Sequence, residues 1–151
     1  MKLLKRIGLV LVVVLVGIQF IPSRTNQDKA VPPFDFIVTN GVPENIGHIL
    51  RTSCYNCHSN NTSYPWYSRV QPVGLFLQNH INKGKAELNF SEFGTYSVRK
   101  QKSKLRSMVS QVGKDEMPLS SYTFIHREAR LSLENKKMLI DYLNALQDSL
   151  Q

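Results

Sequence analysis

An all-α fold is predicted for this chain, and three observations predict it. Apolar residues recur at three- and four-residue spacing in separate segments along most of the 151 residues. No stretch alternates apolar and polar residues as a half-buried strand does. Helix start signals, an asparagine, a proline or a serine, stand ahead of several of these segments. The length suits one compact domain, and an apolar fraction of 42% is ordinary for a globular protein.

Residues 1–22 read as a signal-anchor, a transmembrane helix ahead of that domain. Lys2, Lys5 and Arg6 precede an apolar run over residues 7–21, broken only by Gly8, Gly17 and Gln19. The run is short for a span of about 20 residues, and Leu3, Leu4 and snorkelling lysines extend it. Its end, Gly17-Ile18-Gln19-Phe20-Ile21-Pro22, lacks the small residues of a cleavage site, so an uncleaved anchor is expected. The basic end stays cytoplasmic, which leaves the rest of the chain on the periplasmic side of the cytoplasmic membrane. Residues 23–38, polar and proline-bearing, read as a linker. Residues 39–151 are then the domain. The formal charge of +8 falls to +5 without Lys2, Lys5 and Arg6, with 16 basic against 11 acidic residues. That excess suits an acidic partner protein or an anionic lipid surface. Export of the domain argues against a nucleic-acid partner.

Within the domain, residues 39–52 are predicted as the first helix, with Asn40 as N-cap and Pro43 in its first turn. Val42, Ile46, Ile49 and Leu50 share its inner face. Glu44 and His48 are spaced to pair on its surface. Residues 59–67 form a loop rich in aromatic side chains: Tyr64, Trp66 and Tyr67. Residues 72–82 are a second helix, with Pro72 at its start and Gly84 past its end. Val73, Phe76, Leu77, His80 and Ile81 lie on one side of it, which puts His80 on an apolar face. Residues 88–93 turn into a short helix with Ser91 as cap. A further helix carries Leu105, Met108, Val109 and Val112 inward. Its solvated face holds Arg99, Lys100, Lys102, Lys104 and Arg106, or else docks a partner. Residues 113–122 read as a loop holding Met117-Pro118. Residues 132–146 are the last helix, capped by Ser132, with Leu139, Tyr142, Leu143 and Leu146 facing inward.

Against this frame one stretch carries specific chemistry. Cys54-Tyr55-Asn56-Cys57-His58 is a C-x-x-C-H motif, the attachment signal for a c-type haem. Two thiols at this spacing can each add to a vinyl group of one porphyrin, and the adjacent imidazole is the proximal iron ligand. A zinc site needs further ligands, and the chain has no other cysteine, with His48, His80 and His126 isolated. A redox dithiol belongs near a βαβ pattern, which is missing here. Export supports the haem reading, because covalent attachment takes place outside the bacterial cytoplasmic membrane. Met117 offers a thioether, a soft ligand that raises the reduction potential, and Pro118 stiffens the backbone beside it. His80, on its apolar face, is the alternative distal ligand. His126 ranks below both because Arg127, Glu128 and Arg130 mark an exposed turn. Some of the rings of residues 64–67 are expected to wall the porphyrin edge or reach a propionate.

The order of helix, C-x-x-C-H, intervening helices, Met-Pro and terminal helix resembles class I c-type cytochromes. It resembles more closely a family of small bacterial membrane-anchored haem-binding domains. The matching elements here are Cys54 to Asn60, Pro65 to Ser68, Leu88 to Ser91, Met117-Pro118, Tyr122 with His126, and Leu131-Ser132. The resemblance covers roughly residues 40–147. It implies a cytochrome c-like helical domain around a covalently attached haem c. It also implies thioethers at Cys54 and Cys57, His58 as proximal and Met117 as distal iron ligand. The function expected is single-electron transfer by a membrane-tethered monohaem domain working with a redox partner protein. It is not expected to be an enzyme. The alternative is a haem-based sensor or small peroxidase with an exchangeable sixth ligand.

Overall fold

The computed structural model describes residues 1–22, 25–28 and 30–150. Among the described residues all regular structure is helical, apart from one isolated bridge between Gln27 and Asn61. The predicted all-α class is what is found.

Helix α1 spans Lys2–Ile18, and none of its residues is buried. Seventeen residues at about 1.5 Å each give roughly 25 Å, short of the ~30 Å hydrocarbon core. No helix among the described residues is long and apolar enough to cross a membrane, so the expected transmembrane helix is not supported. Gln19, at the C-cap of α1, turns its amide to the domain. Its Oε1 accepts from Gln71 N at 2.9 Å, and its Nε2 donates to Gln71 O at 3.1 Å.

Residues 23, 24 and 29 of the predicted linker lie outside the described residues. The rest of the linker is bound to the domain. Asp28 N donates to Asn60 O at 2.9 Å and Thr62 N to Asn26 O at 2.9 Å. Lys85 Nζ reaches Asn26 Oδ1 at 2.6 Å. The linker's end also enters the core. Helix α2, Phe36–Thr39, is capped by Asp35, whose carboxylate accepts from Ile37 N. Phe36 is fully buried, with edge contacts to Phe90 and Phe93 at ring centroid distances of 5.3 and 4.8 Å. The packed domain therefore begins ahead of residue 39.

Helix α3 is Glu44–Leu50, with Pro43 at its N-cap. The predicted cap Asn40 instead closes α2, donating from Nδ2 to Phe36 O. Glu44 pairs with Arg51 and not with His48. The chain then widens into a π-helical turn, Arg51–Tyr55, and closes with α4, Asn56–His58. Such turns insert one residue into a helix and are frequent at functional sites.

Helix α5 runs from Val73 to Glu87, one turn beyond the predicted end, and contains Gly84. Phe90–Thr95 is a 3₁₀ segment capped by Asn89 in place of Ser91. Helix α6 is Val98–Gly113, capped by Ser97. A short helix α7, Ser120–Ile125, stands where a loop was predicted. Helix α8 is Leu133–Ser149, capped by Ser132 as predicted, its side chain accepting from Asn135 N at 3.0 Å. Helices α6 and α8 pack against each other. Their Leu105, Leu139 and Leu143 join Ile49, Leu50 and the three phenylalanines in one core.

Candidate functional site

The C-x-x-C-H motif lies on helix, and α5 holds it there. A Cβ on Gly84 would stand 2.7 Å from Cys57 O, so only a glycine lets α5 approach this closely. Gly84 had been predicted as a helix stop; it is a contact point in mid-helix. His58 is fixed from the other side. Its Nδ1 lies 3.1 Å from Leu88 O and donates to it. That bond sets the tautomer and leaves Nε2 as the nitrogen with a free lone pair. Burial holds the His58 pKa below the usual histidine range, against the carbonyls of Leu88 and Gly84, so the ring is neutral. Asn56, inside the motif, donates to Tyr122 OH at 2.8 Å and accepts from Ser63 N at 3.0 Å, tying the motif to α7 and the following loop.

A cavity of about 380 Å³ opens beside the motif, within the range typical of small-molecule and cofactor sites. Cys54, Cys57 and His58 line it. So do Met117 and His80, the two predicted distal ligands, together with Tyr122. Leu88, Phe90, Met108, Val112, Leu131 and Leu139 give it apolar walls. Its charged lining groups are Lys83, Glu87 and Lys104, the last two 3.7 Å apart.

Met117 is half-buried, its N–H directed to Gln111 O at 3.3 Å. His80 is half-buried too, and the apolar helix face predicted for it is largely uncovered. Val73 and Phe76 on that face are exposed, and only Gly74 and Ile81 of α5 are buried. The His80 ring lies tilted against that of Phe76, centroids 4.3 Å apart, with Nδ1 2.9 Å from Phe76 O.

The aromatic residues 64–67 do not line the cavity. Tyr64 OH accepts from Asn26 N and donates to Gln78. Trp66 is 81% exposed. Tyr67 OH is 2.5 Å from His126 Nε2, and that ring stacks on Tyr122 and reaches Glu128 through Nδ1. His126 is thus engaged elsewhere and is not among the cavity residues. The aromatic wall comes from Phe90 and Tyr122 instead. Of the basic run, Lys104 reaches the cavity, Lys100 sits over the Tyr96 ring, and Arg99, Lys102 and Arg106 line a shallow hollow on the outer side of α6.

The donor set discriminates between the chemistries open to the motif. Cys54 is pushed up to about 12, first by burial and then by repulsion from Cys57, and burial raises Cys57 as well. Both are therefore neutral thiols near pH 7 before any ligand binds. Among the described residues no three His, Cys, Asp or Glu side chains cluster to hold a metal ion. A haem needs only one or two protein ligands and an apolar slot, and the residues present fit it.

The class defined is therefore a small helical domain that encloses a flat iron-bearing cofactor. Residues 13–145 match the family model of a haem-binding domain, and the chain belongs to that family. No curated protein and no solved structure matches it.

Proposed function

We propose that this is a monohaem c-type domain, with haem attached through Cys54 and Cys57, that transfers single electrons outside the cytoplasmic membrane. The observation that carries the reading is the convergence of both thiols, the His58 ring and the Met117 thioether on one largely apolar cavity. When bound, the haem supplies the one-electron change at iron. The chain's own residues do the rest. Leu88 O orients His58, and His58 and Met117 are the residues that would hold the iron. Phe90, Leu131 and Leu139 exclude water, which favours the less charged ferrous state. Helix α1, basic at its start and exposed all round, serves to deliver or tether the domain. The basic outer side of α6 steers an acidic redox partner.

A second reading rests on His80. Two donors on one cavity suit an exchangeable sixth position, as in a haem sensor or small peroxidase. Oxidised and reduced optical spectra of the loaded protein separate the two. Met117→Ala is expected to turn a low-spin spectrum high-spin, admit CO and lower the potential, while His80→Ala leaves the bands in place. Unchanged bands in Met117→Ala contradict Met117 ligation, and a high-spin His80→Ala makes His80 the ligand.

A further inference from the structure

Outside the cavity, the surface next to the end of α1 carries large apolar side chains drawn from three segments. The first is Trp66 and Val70, on and just after the 3₁₀ turn Trp66–Arg69. The second is Val73 and Phe76, one turn apart on α5 and so on one side of it. The third is Phe124 and Ile125 at the end of α7. Trp66 is 81% and Phe124 77% exposed.

Specific contacts hold these segments together. A Cβ on Gly74 would stand 2.2 Å from Ser68 O, so the turn and α5 touch backbone to backbone. The Tyr67–His126 hydrogen bond brings the end of α7 to the same turn. Gln71, between Val70 and Val73, is clasped by Gln19, and its own Nε2 points to Ile21 O at 3.5 Å. The face is thus continuous with an N-terminal helix none of whose apolar side chains is buried.

We propose that this face seats on a lipid bilayer, with Trp66, Val70, Val73, Phe76, Phe124 and Ile125 in the headgroup region. Apolar patches of this kind mark interaction surfaces, and tryptophan favours the membrane–water boundary. Charge points the same way. No Asp or Glu occurs over residues 45–86 or 117–127, while Arg69 and Arg127 flank the apolar groups. An anionic leaflet attracts such a surface and is not repelled by it. The continuity with α1 selects lipid over a protein as the covering partner. The inference rests on α1 being membrane-associated, and it adds that the domain lies down on the bilayer beside it. The Phe76 ring lies against that of His80, which lines the cavity, so the cofactor cavity then opens close to the lipid surface.

Trp66 is the only tryptophan, so its emission reports this face alone. The haem-loaded full chain is reconstituted into phosphatidylcholine–phosphatidylglycerol vesicles with plain or brominated acyl chains. The ratio of the two emissions cancels quenching by the haem. The expected result is loss of Trp66 emission in the brominated lipid and protection from aqueous acrylamide. Phe124→Ser with Ile125→Ser should weaken both. A chain that floats with the vesicles while acrylamide still reaches Trp66 and bromine does not overturns the seated face and leaves the α1 tether standing. A chain that stays in solution overturns both. Protection that arises only on adding native membrane proteins assigns the face to a protein partner and overturns the lipid seat.

Discussion

The two sides of the cavity are built differently. On the motif side, Cys57 and His58 are each fixed by direct contacts from α5 and the segment that follows it. Gly84 lies against Cys57, Leu88 O takes the His58 N–H, and Phe90 walls the His58 ring at 6.2 Å. On the Met117 side, a half-buried side chain hangs from the turn between α6 and α7, tied through its N–H to Gln111 O. The contrast assigns different work to the two regions. The motif side sets whether the cofactor is acquired and held. The Met117 side sets what the iron does once it is there.

The comparison can be broken from either side. The largest loss is expected for Gly84→Ala, where a new Cβ must displace the Cys57 backbone. Overpacking of this kind costs about 1–3 kcal/mol, and covalent haem content should fall with it. Denaturant unfolding and haem-to-protein ratio check both. Normal loading and stability in this variant contradict the claim that the motif side is rigidly positioned. Tyr55→Phe comes next. Its hydroxyl donates to the buried Asp35 carboxylate at 2.9 Å, and removing it should cost about 1–2 kcal/mol by leaving that carboxylate short of a partner.

The same pair gives a pH dependence. Burial, then the Asp35 charge, pushes the Tyr55 phenol well above its ordinary value. The folded chain keeps this proton at a pH where the unfolded chain has lost it. The stabilisation is complete below about pH 10, the ordinary tyrosine pKa, and is lost as pH rises beyond it. Tyr55→Phe should flatten that alkaline fall in an unfolding series against pH. Met117→Ala should change haem-free stability by less than about 1 kcal/mol, as for other partly exposed sites, yet change the spectrum of the loaded protein entirely. A variant that unfolds but keeps its spectrum would reverse the division of labour between the two sides.

Much of this was legible because it is local. Cys54, Cys57 and His58 declare themselves by spacing, and Met117-Pro118 stands out as a thioether next to a stiff turn. Ser132 reads as a cap because its hydroxyl bonds three residues ahead. Caps such as Asn40 and Ser91 were misplaced by a few residues, and the larger failures are contacts between distant segments. Gly84 looks like a helix terminator until Cys57 O is found beside it. Phe36 sits just past a polar, proline-bearing stretch and was counted with the linker, whereas its packing on Phe90 and Phe93 puts it in the core. Tyr67 and Trp66 were expected at the cofactor; instead Tyr67 turns to His126, 59 residues away, and Trp66 to solvent. His80 was placed by helical periodicity on a buried face, and α5 buries mainly Gly74 and Ile81. Periodicity reports that a helix has an apolar side, and not that a neighbour covers it.

The central claim is that both cysteines hold haem on the chain. The direct measurement is a haem stain of the protein on a denaturing gel, with the mass of the intact polypeptide, after expression alongside a haem-maturation system. The account predicts stain and a one-haem mass increment that survive denaturation in the parent chain and vanish in the Cys54→Ser, Cys57→Ser double variant. Haem that washes away from the denatured parent chain, or a mass equal to the bare polypeptide, contradicts covalent attachment at this motif.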